Sequence, residues 1–240
     1  MSILLGLAME LIFRCHPALE AHLPRPMPAR EALPAWLKEM QSEAMSAVLG
    51  QSVRTVKHCP PFIDAMGFGA LIPLAVDLTF EAGTFSWESD LPVVPNSTVG
   101  RSPIGVHVPE QAAGSPLDPT GDFIIKFMNF WTVEVPKGCS VLFCHPINRA
   151  DLPFRTLTGM VDCDAFSHGL VHFPAIWSDK DFEGTLAKGT PVAQCVPVRR
   201  EAIDVICESL DEKGLCAQDD VRDILERETG VYRKAYRAKR

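Results

Sequence analysis

Proline constrains this chain more than any other residue does. Twenty prolines run from end to end of the 240-residue sequence, beside sixteen glycines. A proline inside a helix removes a hydrogen bond and collides with the preceding turn, so this scatter leaves little room for long helices and favours short strands joined by turns. The chain is therefore expected to be mainly β. Apolar residues make up 47% and charged residues 22%, enough to bury a real core and to exclude disorder of the whole chain.

Strand texture is densest in the second half. Short β-prone runs at 123–127, 131–135, 140–144, 157–161, 169–173 and 192–198 are bounded by turn residues such as Pro136-Lys137-Gly138 and Lys188-Gly189. Earlier runs at 55–57, 70–79 and 84–87 add to them, with a hairpin expected around Ala82-Gly83. Residues 88–121 lack periodicity and read as loops around at most two brief strands. Such regular punctuation predicts a β-sandwich or a barrel.

Helices are expected only at the margins. An opening strand at 10–15 and a proline-rich connector precede residues 29–49, which read as a helix interrupted near Pro34. Its apolar members Leu33, Trp36, Leu37, Met40, Met45 and Val48 recur at roughly helical spacing and are expected to pack on the sheet. Near the other end, Gln218-Asp219-Asp220 offers a cap and an acidic first turn for a short C-terminal helix. The expected organisation is an N-terminal strand, connector and helical arm over 1–50, a β domain over 51–200, and a helical segment with a basic tail over 201–240.

The formal net charge of −7 provides no basic field for a phosphate backbone, which argues against sequence-independent nucleic-acid binding. The last eight residues, with Arg233, Lys234, Arg237, Lys239 and Arg240, run against that trend and read as a solvated tail. Eight cysteines without a signal peptide point to reduced thiols and a cytoplasmic location. The apolar stretch at 3–8 is too short to span a bilayer, Glu10 and Arg14 interrupt its continuation, and Met9 is an alternative start. No membrane association is expected, and a homo-oligomer is.

Chemistry centres on the histidines of the β region, His107, His145, His168 and His172. His168 and His172, four apart on an expected strand, would share a face about 13 Å apart, too far for one metal. The run Phe143-Cys144-His145-Pro146-Ile147-Asn148-Arg149 gathers polar side chains where a strand becomes a turn, and Asp162 and Asp164 share a strand face. In one reading Asp162 and His145 carry catalysis, while Asn148, Arg149, Asp164 and Phe166 bind a small polar or anionic ligand, with Arg149 as a bidentate anion contact. In another, His107, His145 and Asp162 hold a divalent metal (iron, manganese or zinc) for oxidative chemistry. The cysteines lack the paired spacing of a structural zinc site, and neither a phosphate-binding loop nor a nucleophile elbow is present.

The stretches 55–66, 126–132, 142–149 and 189–194 resemble an uncharacterised protein family of bacteria and tailed phages, a likeness covering most of residues 35–200. That resemblance brings a grouping and no activity. A more distant likeness concerns fold. Val135-Pro136-Lys137-Gly138, Gly159-Met160-Val161-Asp162-Cys163-Asp164 and Gly189-Thr190-Pro191-Val192-Ala193-Gln194 are similar in order and spacing to the core of dUTPase and dCTP deaminase. It implies a β-clip-like barrel, in which Asp162 would orient water or contact a sugar and Phe166 would lie near the ring packing on deoxyribose. The chain departs from that pattern at 145–149, where a phosphate-binding stretch should lie, and lacks the glycine-rich C-terminal arm.

The expectation is thus a β domain that binds a small molecule, in its sharpest form a nucleotide-directed hydrolase or deaminase. The alternatives are the metal-dependent enzyme and a non-enzymatic assembly or interaction protein.

Overall fold

The computed structural model describes residues 9–94, 102–117 and 124–238. It is mainly β, with antiparallel sheets and few helices. Contacts divide the chain into two compact units, Met1–Met40 with Asp64–Arg200, and Gln41–Ile63 with Glu201–Arg240.

The larger unit holds two main sheets. The first orders its strands Gly159–Val161, Cys139–Cys144, Pro191–Arg199, Ala70–Pro73 and Met27–Pro28, all antiparallel. The second orders Phe154–Thr156, Phe173–Trp177, Ile124–Phe127 and Ile104–His107. Both feed one core. Ile72, Val141, Phe143, Val192 and Cys195 from the first sheet are buried in one cluster with Ile125, Phe127, Phe154, Phe173 and Ala175 from the second. Phe143 meets Phe173 at 5.5 Å between ring centroids, which ties the two faces together. Among the described residues the sheets close no barrel.

A three-stranded sheet, Gly184–Leu186, Leu78–Glu81 and Thr84–Ser86, contains the expected hairpin. Ala82 and Gly83 both take positive φ, 48° and 74°, as a tight hairpin turn demands. The opening strand, Ile12–Arg14, pairs with Thr132–Glu134. Gly69 shows a different constraint: at φ 72°, a Cβ there would lie 1.9 Å from the Cys195 carbonyl oxygen, so only glycine lets the two backbones approach.

Several local expectations change. Residues 29–49 hold only a short 3-10 turn, Ala29–Glu31, and the five-residue helix Ala35–Glu39; beyond it the chain forms the hairpin Glu43–Ser46 with Gln51–Arg54. Gly50 at φ 65° closes that hairpin, and Met45 and Val48, 75% and 93% exposed, do not pack on a sheet. The run 55–57 lies in a 3-10 turn, Val56–His58, followed by the helix Pro60–Met66, where proline at a helix start costs no hydrogen bond. The strand expected at 169–173 is irregular chain up to Phe173, with only a bridge between Thr132 and Leu170. The C-terminal helix, Glu212–Arg227, begins earlier than its anticipated cap, because the Asp211 carboxylate accepts the Gly214 N–H at 2.7 Å.

All eight cysteines are free thiols. Among the described residues no helix is long and apolar enough to cross a membrane.

Candidate functional site

The residues singled out by sequence fall at two ends of one strand. His145, Asn148 and Arg149 follow the end of Cys139–Cys144, while Asp162 and Asp164 lie beside its beginning, because Val141 pairs with Val161. Five residues separate Ser140 from His145, about 16 Å of extended chain. They therefore form two polar networks instead of one site.

At the far end, both ring nitrogens of His145 are engaged. Nδ1 accepts the Thr156 N–H at 3.3 Å and Nε2–H donates to the Arg149 carbonyl at 3.0 Å. Burial lowers the His145 pKa, with Arg155 and Arg149 adding repulsion, so the ring stays neutral with its proton on Nε2. It retains no free lone pair for a metal or a proton in flight. Asn148 sits at φ 60°, a left-handed turn position that asparagine tolerates. Arg149 grips Asp151 through Nε and Nη2 at 2.8 Å each, and Asp151 also accepts from the Trp36 indole at 3.2 Å. The bidentate anion contact expected of Arg149 is met inside the chain.

At the near end the charged groups also pair within the chain. Arg200 forks onto Asp164 at 2.8 and 2.5 Å and reaches Asp162 at 3.2 Å. Asp164 accepts the Gly138 N–H at 2.8 Å, and Asp162 accepts the Ser140 hydroxyl at 2.7 Å. The Arg200 hydrogen bonds hold the Asp164 carboxyl well below the usual carboxylate range, helped by the Gly138 N–H. Phe166 folds over Gly169, where a Cβ would meet its ring at 2.0 Å.

The metal set does not assemble. His107 pairs with Gln111 at 2.9 Å, His145 is saturated, and no group of three or more His, Cys, Asp or Glu among the described residues is placed to hold an ion.

Between the networks, Gln194 is fully buried and ties three segments together. Its Nε2 donates to the Ala65 and Phe68 carbonyls at 3.0 and 2.7 Å, and its Oε1 accepts the Ile147 N–H at 2.9 Å. It pairs the Ile147 N–H and the Phe68 carbonyl and adds to the bond that the Ala65 carbonyl accepts from the Phe68 N–H, which marks a structural residue.

A concavity lies elsewhere in the larger unit. A cavity of about 440 Å³ is bounded by the end of the opening strand and the turn after it (Arg14, Cys15, His16, Leu19), by Leu91 and Val94, by Met128, Asn129, Phe130 and Thr132, and by His168, Leu170 and His172. Its wall is continuous with a small apolar cluster of Leu19, Leu23, Ala75 and Trp131. Trp131 in that cluster is anchored by its indole N–H, which donates to the Pro24 carbonyl of the proline-rich connector at 3.1 Å.

Polar groups at this cavity are differently placed. Buried Asn129 spends its side chain on the Trp131 backbone, donating to its carbonyl at 2.6 Å and accepting its N–H at 3.0 Å. The Asn129 N–H in turn donates to His172 Nδ1 at 3.1 Å, fixing the His172 proton on Nε2. Burial lowers the His172 pKa, and Lys126 lowers it further, so this ring is neutral near pH 7. His16 likewise accepts the Ala18 N–H on Nδ1 at 3.2 Å. Neither Nε2 has a hydrogen-bond partner among the described residues. Burial also raises the Cys15 thiol pKa, reinforced by Glu20, which leaves the sulfur protonated and a poor nucleophile.

Sequence reasoning noticed His168 and His172 but placed them on a strand; the irregular chain instead brings both to the cavity. Arg14, His16, Asn129 and Thr132 were not singled out. The signal available for Asn129 was the run Asn129-Phe130-Trp131-Thr132, a turn between strands whose aromatic residues have no strand alternation. Compared with known protein families and with curated protein sequences, the chain matches no family model and no curated sequence.

Proposed function

We propose that the larger unit is a sandwich-like β domain that binds a small, mostly apolar molecule bearing a hydrogen-bond-accepting head group, seated in the cavity beside the opening strand. The observation that carries this reading is the cavity itself, about 440 Å³ and lined by Leu19, Leu91, Met128, Phe130 and Leu170. That volume suits a drug-sized ligand, and an apolar wall with a few polar groups is the usual make-up of such sites. The head group would meet the Nε2–H donors of His172 and His16, both held as donors by hydrogen bonds on their other nitrogens. With one nitrogen of each ring left to donate, and Arg14 paired to Glu134, a carbonyl or carboxylate fits better than a polyphosphate. The same geometry supports binding more than covalent catalysis, since the one thiol in the wall is protonated.

A thermal-shift panel tests the reading. Medium-chain fatty acids, aryl carboxylates, their amides and the common nucleotides are each added to the full chain. At least one carboxylate or amide should raise the unfolding temperature, and Leu170→Trp, which fills the cavity, should abolish that rise. A response confined to nucleotides would instead favour the hydrolase reading built on Asp162.

A further inference from the structure

The three-stranded sheet Gly184–Leu186, Leu78–Glu81 and Thr84–Ser86 has two unlike faces. On one, Phe80 packs against Phe85 and Trp177 at 4.8 and 5.2 Å between centroids. On the other, the register sets Thr185 opposite Thr79 and Thr79 opposite Ser86, so three hydroxyl side chains cross the sheet in a row. The Thr79 and Thr185 hydroxyls are 2.7 Å apart. Thr and Ser at every position of such a row keep this face wet where the opposite face is aromatic.

That row lines an open groove of about 950 Å³, whose other walls include Trp87, Asp77, Glu88, Asp90 and Lys188. Trp87 is 38% exposed. The Lys188 ammonium pairs with Asp90 at 3.4 Å and the Lys188 backbone N–H donates to the Asp77 carboxylate at 2.6 Å, whereas Glu88 has no partner among the described residues. The groove shares no lining residue with the apolar cavity.

We propose that this groove binds a hydroxyl-rich, non-anionic saccharide. Three properties point to that class. An exposed indole offers a flat apolar surface to the C–H face of a pyranose ring. Cross-strand neighbours in register are spaced by about 5 Å, comparable with the distance across such a ring, so the hydroxyl row and the carboxylates can meet successive sugar hydroxyls. Among the described residues of the groove three carboxylates face one lysine, a balance that repels uronic acids and sugar phosphates.

The test is an array of neutral and anionic oligosaccharides probed with the full chain, followed by calorimetric titration of the strongest neutral one. Wild type should retain at least one neutral oligosaccharide and bind its uronic acid counterpart far more weakly. Trp87→Ala should weaken binding by roughly tenfold, and Trp87→Phe, which keeps a flat ring, by much less. Glu88→Gln should reduce the preference for the neutral sugar without altering thermal unfolding. Retention of no neutral saccharide, or equal affinity in Trp87→Ala, would overturn the proposal, and all three variants are checked for unchanged unfolding temperature.

Discussion

The polar networks at the two ends of the Cys139–Cys144 strand and the apolar cavity beside the opening strand handle their polar atoms in opposite ways. In the networks the imidazole and the charged groups have found partners: His145 uses both nitrogens, Arg149 holds Asp151, and Arg200 holds Asp164 and Asp162. In the cavity, His16 and His172 each spend one nitrogen on the backbone and leave the other without a partner among the described residues. A buried or half-buried polar group that is fully paired stabilises the fold, whereas a fixed, unspent donor facing a void is available to a ligand. Density of polar residues in the sequence marked the first kind of place and passed over the second.

The sharpest way to break the comparison is at Gln194, which belongs wholly to the structural side. Gln194→Leu leaves the Ile147 N–H and the Phe68 carbonyl without that partner, while the Ala65 carbonyl keeps only the long bond from the Phe68 N–H. At about 1–3 kcal/mol for each orphaned group, the loss should be several kcal/mol. The unfolding temperature should fall by roughly 10 °C or more. Calorimetry reads it; a drop of only a degree or two would mean that the clamp is dispensable.

Acid titration gives the next effect. An aspartate titrates near 3.9 in an unfolded chain, and the Arg200 hydrogen bonds hold Asp164 below that in the fold. Its contribution is therefore present above the unfolded value and lost as pH falls through the folded one. Asp164→Asn should lower the unfolding temperature at pH 7, and the gap to wild type should close as the pH drops below about 4. A gap that persists unchanged into strong acid would contradict the ion-pair account.

The smallest effect sharpens the contrast between the two histidines. Both have pKa values lowered by burial, so each contributes stability that is present above about pH 6.5 and lost as pH falls toward the folded value. Nitrogen-15 spectra at pH 7 should show both as neutral Nε2–H tautomers. A carboxylate ligand should shift the His172 signals and leave those of His145 in place.

How much of this was legible in the sequence depended on the range of the interactions involved. Strands bounded by proline and glycine turns, such as Cys139–Cys144 and Pro191–Arg199, could be read because their signal is local. The hairpin at Ala82-Gly83 could be read for the same reason. Residues 43–54 could not: helical spacing of Met45 and Val48 mimicked an amphipathic face, and the pairing of Glu43–Ser46 with Gln51–Arg54 is visible only once Gly50 is seen to turn the chain. At the candidate site, His145, Asp162 and Asp164 are close along one antiparallel pair yet fall at opposite ends of it, because antiparallel register places later residues beside earlier ones. The cavity draws on residues from Arg14 to His172, joined by pairing of the opening strand with Thr132–Glu134, and no spacing rule in one sequence reports that contact.

The central claim, that the cavity and not the polar networks receives the ligand, is tested most directly by mapping backbone amide shifts on adding the best carboxylate from the thermal-shift panel. The account predicts perturbations concentrated at Cys15, His16, Asn129, Thr132, Leu170 and His172, which line or border the cavity. Perturbations concentrated at His145 and Arg149, or at Asp162 and Asp164, with the cavity residues unmoved, would contradict it.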